Sequence, residues 1–446
     1  MELTPEKDYV LKSIRNNDIH FIRFWFTDVL GSLKSFAVTP SEIENAFEEG
    51  MGFDGSSIEG FSRIQESDML AFPDASTFQA LPWRPMENGV ARMFCDVRTP
   101  EGQPFEGDPR YALKRMLKKA ADMGFTMNVG PELEFFYFAD QETTIPLDNG
   151  GYFDLTPLDL ASDIRRDTVL ALENMGIPVE YSHHEVAPSQ HEIDLRYADA
   201  LSMADAVMTY RLVVKEVAMQ HGAYATFMPK PISEQNGNGM HVHQSLFTDE
   251  GSNAFFDADD PQGYSLSALA KNYIAGILKY APEFTAITNQ FVNSYKRLVP
   301  GYEAPVYVTW ARRNRSALVR VPLYKPGKEQ ATRIELRSPD PSANPYLAFA
   351  VMLGAGLKGI EEGLELSPEF TDNAFALSPE QLCQAKIATL PGNLGAAIDA
   401  FERSELMHEI LGEHIHAYFV RNKRAEWAEF SAHVTDWELT RYLAVL

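Results

Sequence analysis

Two cysteines, Cys95 and Cys383, are all that 446 residues contain. Neither a disulfide framework nor a thiolate zinc cluster can be built from them, and a reducing, cytoplasmic setting is expected. Basic residues are also scarce. The 39 Lys and Arg against 63 Asp and Glu leave a formal charge of −24, which argues against nucleic-acid binding driven by phosphate neutralisation. The longest apolar run, Tyr346 to Leu357, falls well short of the ~20 residues that span a bilayer, so no membrane segment is expected. Met1 to Asp8 has no apolar stretch behind a basic start, so no signal peptide is expected either. Two phosphate-binding fingerprints fail. No Gly-x4-Gly-Lys-Ser/Thr occurs. Gly354-Ala-Gly-Leu-Lys-Gly359 fits Gly-x-Gly-x-x-Gly, but it lies late in a helical apolar run from Pro345 and reads as small residues that let helices pack closely. Any nucleotide must therefore be held by side chains and metal ions.

Hydrophobic residues make up 45% of the chain and aromatics 11%, enough for large cores. Thr4-Pro5 reads as the cap and first position of a helix reaching Asn17, followed by two strands, His20 to Asp28 and Leu33 to Val38. The Pro/Gly-rich stretch Thr99 to Gly107 reads as a linker, which divides the chain into residues 1–103 and 104–446. Asp108-Pro109 then caps a helix to about Met123. Beyond it strands and helices alternate: strand Phe125 to Phe138, helix Leu160 to Met175, strand Pro178 to Val186, helix Ala198 to His221, strands Ala225 to Pro229 and Met240 to Phe247. The fold class is α+β, with one large sheet flanked by helices and a mostly helical stretch after Ser378.

Glu132 and Glu134 stand two apart in a strand-like run, so both carboxylates share one face; the apolar flanks suggest burial, where like charges need a cation between them. Glu185 and Glu192 bracket a Pro-containing turn that can fold both toward one point. His241 and His243 alternate along a strand beside a glycine turn. Carboxylates with imidazole and no thiolate suit Mg²⁺ or Mn²⁺. Between Lys296 and Arg337 ten basic residues face three acids, and Arg333-Ile-Glu-Leu-Arg337 alternates so that two guanidiniums and a carboxylate share a face. Such guanidiniums grip phosphates and carboxylates at two points. Asp54, in the glycine-rich loop Met51 to Gly60, is a candidate substrate contact.

Several blocks together resemble type I glutamine synthetase: Phe53-Asp-Gly-Ser-Ser57, Gly130-Pro-Glu-Leu-Glu134, His184-Glu-Val-Ala187, Asn238-Gly-Met-His241, Tyr295 to Pro305, Asn314-Arg-Ser316 and Asn344-Pro-Tyr346. The resemblance implies a small N-terminal β-grasp domain, a catalytic domain with a curved antiparallel sheet, and a homo-dodecamer of two hexameric rings with active sites between subunits. It assigns one divalent ion to Glu134, Glu185 and Glu192 and another to Glu132, His241 and Glu335. Glutamate falls to Asn236, Gly237, Arg297, Glu303 and Arg337, and ATP to Glu180, His243, Ser245, Arg315, Arg320 and Lys328. The implied reaction joins ammonia to glutamate through γ-glutamyl phosphate, with Asp54, Glu303 and Arg315 as the catalytic set; Asp54 and Glu303 would collect ammonium and take its proton. Phe375 stands where the beta subdivision carries its adenylylated tyrosine, and Arg63 resembles the arginine that links glutamine to feedback inhibition, so an alpha-type enzyme is expected. The alternatives are a ligase of the same superfamily that joins glutamate to a polyamine or other amine, and a catalytically silent synthetase-like scaffold or regulatory binding protein.

Overall fold

Thr4 is extended and its hydroxyl accepts the Lys7 N–H, with Pro5 at the first helical position, so the chain opens on a helix, Pro5–Asn16. The computed structural model describes residues 4–61, 68–84, 87–300, 304–323, 327–372, 374, 377–385 and 387–446. Arg63, Glu303 and Phe375 lie outside the described residues, as does the side chain of Cys383.

The first helix lies on a six-stranded sheet of β1 (Ile19–Thr27), β2 (Leu33–Val38), β3 (Met51–Asp54), β4 (Asp68–Pro73), β5 (Gln79–Ala80) and β6 (Gly89–Arg98). The order is β2–β1–β6–β4–β3, with β5 on β6. β1 and β6 run parallel and the other pairs antiparallel. Val10, Ile14, Ile22, Phe24, Ile43 and Met93 form its core. The expected helix and first two strands are therefore present, and the sheet is that of a small α+β unit.

Asp108 caps the helix Pro109–Asp122. Arg110, almost fully buried, ties the two sheets' neighbourhoods together: it reaches Asp96 at 2.6 Å and Asp74 at 2.8 Å on one side and Asp205 at 2.9 Å on the other. Among the described residues the second sheet has nine strands: β7 (Phe125–Phe138), β8 (Val179–His184), β9 (Gln190–Leu195), β10 (Ala198–Asp199), β11 (Tyr224–Thr226), β12 (Met240–Thr248), β13 (Tyr307–Ala311), β14 (Ala317–Arg320) and β15 (Ile334–Leu336). Its order is β13–β14–β15–β12–β7–β9–β8, with β10 and β11 also on β7. All pairs are antiparallel except β13 with β14, which run parallel and make the sheet mixed. β9 is the strand that a reading of Glu185 to Glu192 as a turn overlooks: the turn is shorter, and Glu192 already belongs to a hairpin with β8.

Leu133, Phe135, Ile193, Val242, Ile334 and Leu336 are fully buried and share one core with Val207, Tyr210 and Val214 of the helix Ala200–Gln220. The helices Ala268–Thr288 and Pro345–Glu362 cross closely. A Cβ at Gly359 would meet the Asn272 carbonyl oxygen and lie 2.7 Å from Gly276 Cα. The late glycines thus serve helix contact, as their helical setting implies. Among the described residues no helix is long and apolar enough to cross a membrane.

Candidate active site

Pleating and register gather the chemistry on the face of the second sheet that points away from the core. In β7, Glu132 and Glu134 alternate with buried Leu133 and Phe135 and are themselves only half-buried, less enclosed than their apolar flanks suggest. β9 sets Asp194 opposite Glu132 and Glu192 opposite Glu134. β12 sets His241 opposite Glu132, β15 sets Glu335 opposite His243, and β14 sets Arg320 opposite Glu335. From the other edge, β8 places His183 against Glu192 and Tyr181 against Asp194. The short turn after β8 then carries Glu185 back beside Glu192.

Two clusters result, each with ligand-type atoms within 4.8 Å of one another: His183, Glu185 and Glu192; and Glu132, His243 and Glu335. His183 Nε2 lies 3.0 Å from Glu185 and 3.3 Å from Glu192. His241 Nδ1 lies 3.3 Å from Glu132 and 3.6 Å from Glu335, and His243 Nε2 lies 2.7 Å from Glu132. Arg333 Nε donates to His243 Nδ1 at 3.2 Å, so the ring accepts there and gives its Nε2–H to Glu132. Glu134 accepts the Gly239 N–H at 2.8 Å and the Gln190 amide at 3.0 Å.

Charge at this face is unevenly compensated. Burial raises the Glu132 carboxyl, but the His241 and His243 hydrogen bonds outweigh it and hold it well below the usual carboxylate range. Burial likewise opposes Glu335, whose carboxyl is drawn down by Arg337 at 2.5 Å, by the two histidines and by Arg320 at 2.8 Å. Glu192 goes the other way. Burial first, then Asp194, Glu134, Glu132 and Glu185, push its carboxyl well up, and burial and Glu132 raise Asp194 to about 8. Crowded, mostly oxygen donors that can stay ionised together only around positive charge fit hard divalent cations.

The guanidinium side is built from the same register. Arg333, Glu335 and Arg337 share the face, as their alternation predicts. Arg297, buried, donates to the Ser338 and Arg337 carbonyls at 2.6 and 3.2 Å, and Gly237 packs against its stem. Asn236 is half-buried in the same segment. Beside the carboxylates a cavity of ≈ 260 Å³ is lined by Glu132, Glu180, Asp194, His243, Ser245 and Arg333 among others, which brings three of the expected nucleotide contacts together.

Other expected residues are not brought there. Lys328 and Arg315 are exposed and joined to this face by no ion pair among the described residues; Arg315 lines a separate depression with Arg312, Arg313 and Glu369. Asp54 ends β3 in the first sheet, exposed, its carboxylate accepting the Ser56 N–H at 2.8 Å and held low by the Ser56 hydroxyl and then by that N–H. Sequence reasoning missed Asp194 and His183. Both were findable: Asp194 stands two after Glu192 once residues 190–195 are read as a strand, and His183 stands two before Glu185 inside the strand already expected at Pro178 to Val186.

A profile of the glutamine synthetase catalytic domain matches residues 106–442, and one of the glutamine synthetase β-grasp domain matches residues 18–100. The glutamine synthetase of Mycolicibacterium smegmatis is 54% identical over 99% of this chain and 99% of its own length. That of Methanosarcina mazei is 52% identical over 100% and 99%. A solved structure of GmaS in complex with ADP, 34% identical, covers 97% of this chain and 99% of that one at a TM-score of 0.89. Matched along both of its sheets and over its whole length, the chain belongs to the glutamine synthetase family and is an enzyme of that activity.

Proposed function

We propose a division of labour for the synthesis of glutamine from glutamate, ammonia and ATP. Glu134, Glu185 and Glu192 hold one divalent ion, and Glu132, His241 and Glu335 a second. Bound there, Mg²⁺ or Mn²⁺ supplies Lewis acidity and charge neutralisation for the phosphates of ATP. Glu180, His243, Ser245, Arg320 and Lys328 bind the nucleotide, and Arg315 meets the charge of the transferring phosphoryl group. Arg297, Arg337, Asn236 and Gly237 orient glutamate so that its γ-carboxylate attacks the γ-phosphate in line, giving γ-glutamyl phosphate and ADP. Asp54 and Glu303 gather ammonium by charge and take the proton that frees ammonia, which then displaces phosphate.

What supports the metal roles is the convergence of these carboxylates and imidazoles, from strands more than a hundred residues apart, on one sheet face where burial and neighbouring acids raise the carboxyls of Glu192 and Asp194. Asp54, exposed in the first sheet, suits a site completed by a neighbouring copy, in keeping with a dodecamer of two hexameric rings. Phe375 has no hydroxyl to adenylylate, and with Arg63 it favours an alpha-type enzyme. The same reading places the chain in the cytoplasm and divides it into residues 1–103 and 104–446. With glutamate, ATP and Mg²⁺ or Mn²⁺, purified protein is expected to release phosphate faster with ammonium than with putrescine; the reverse order would transfer the acceptor role to a diamine.

A further inference from the structure

A third group of ligand-type side chains, Asp148, His184 and His191, lies buried behind the hairpin that carries Glu185. These groups are not arranged to hold a metal ion. Arg165, buried beside them, places its guanidinium 2.9 Å from His191 Nδ1 and 2.8 Å from Asp159, so positive charge is already present. Asp148 is also fully engaged. Its Oδ1 accepts the N–H groups of Ser189 at 2.9 Å and Gly150 at 3.2 Å and meets His184 Nε2 at 3.0 Å; its Oδ2 accepts the Leu160 N–H at 3.1 Å.

What the group does hold is Glu185. β8 ends at His184, so Glu185 lies past the strand and its carbonyl is outside the ladder. That carbonyl accepts from His184 Nδ1 at 2.7 Å, while the Glu185 N–H donates to the Gln190 carbonyl at 2.7 Å. With Asp148 on its other nitrogen, the ring cannot turn without losing both partners. Gly150 permits this approach: a Cβ there would lie 2.7 Å from His184 Nε2. Three separate segments, around 148, 184 and 189, are thereby clamped at the point where the chain leaves β8.

We propose that Asp148 is a positioning residue for metal binding: through His184 it fixes the backbone of Glu185, so that this carboxylate stays beside Glu192. The inference rests on Glu185 being a metal ligand and adds a residue that touches neither metal nor substrate.

The test is a Mn²⁺ titration of the full-length apoprotein without nucleotide, free ion being followed by its electron paramagnetic resonance signal. Wild type is compared with Asp148→Asn, Gly150→Ala and Glu185→Gln. Asp148→Asn and Gly150→Ala are each expected to weaken Mn²⁺ binding about 10-fold or more, as loss of an outer partner does at other metal sites, and in the same class of sites that Glu185→Gln weakens. A merely structural role would lower the melting temperature of both variants and leave the affinity of the folded protein unchanged. Weakening by Glu185→Gln alone overturns the inference. If Glu185→Gln leaves binding intact as well, the ligand assignment itself falls. Should Asp148→Asn fail to fold, Gly150→Ala decides the matter, because it presses on the ring without removing the carboxylate.

Discussion

Glu192 shows what a crowd of buried acids does to a single residue. It is buried, faces Glu134 across the ladder, and has its carboxyl raised by burial and by four neighbouring acids. Removing its charge should therefore have effects of opposite sign. Glu192→Gln is expected to weaken Mn²⁺ binding by calorimetry at least about 10-fold, since a direct ligand outranks an outer partner, yet to leave the melting temperature of the apoprotein equal or higher. A lower melting temperature with unchanged metal binding would make Glu192 a structural residue only. Asp108 illustrates burial at a helix cap. Burial, and then the Asp96 charge, raise its carboxyl from an ordinary 3.8 to about 7, against the Val97 and Arg110 N–H groups it accepts at 3.0 and 2.9 Å. Between those values the folded chain keeps a proton that the unfolded chain has released, so this group's contribution to stability falls as pH rises through the window. In Asp108→Asn the loss of melting temperature between about pH 5 and about pH 8 should shrink; parallel curves for variant and wild type would contradict it.

At the scale of elements, the site depends on a strand's period of two. Every candidate site side chain of β7, β9, β12 and β15 alternates with an apolar residue buried in the opposite face, so a slip of one residue would send carboxylates into the core. The core face therefore fixes the catalytic face. Helix packing behind the sheet is equally exact in its demands. At the crossing of Ala268–Thr288 and Pro345–Glu362, Gly359 lies against backbone, the Asn272 carbonyl and the Gly276 Cα, neither of which can swing aside. Gly359→Ala should cost roughly 1–3 kcal/mol, the usual range for overpacking, read from the midpoint of urea unfolding. A midpoint shift too small to measure would mean that the helices separate freely there.

For the molecule as a whole, the two sheets divide the chemistry. The second carries the candidate metal and nucleotide groups, whereas Asp54 is exposed at the end of a strand of the first. If a neighbouring copy completes the site, inactive Asp54→Ala and Glu192→Gln chains co-expressed in one cell should form mixed assemblies that regain part of the glutamine-forming activity, because some sites then combine two intact halves. Failure of mixed assemblies to exceed either parent would confine Asp54 to its own chain or remove it from the site.

Local signals were enough for much of this protein. Caps at Thr4-Pro5 and Asp108-Pro109 and the long apolar alternation of Phe125 to Phe138 mark elements because their causes lie within a few residues. Glu132, Glu134, His241, His243 and Glu335 stand out because alternation shows which side chains share a face. The chain by itself thus determined strand periods, helix ends and the inventory of donors. It could not give register. That Asp194 meets Glu132, that β13 runs parallel to β14, and that Asp148 reaches Glu185 through His184 all depend on which strands and turns become neighbours. Such pairings join segments far apart in sequence and are chosen by burial of the common core, an energy that belongs to the whole tertiary structure and to no local window.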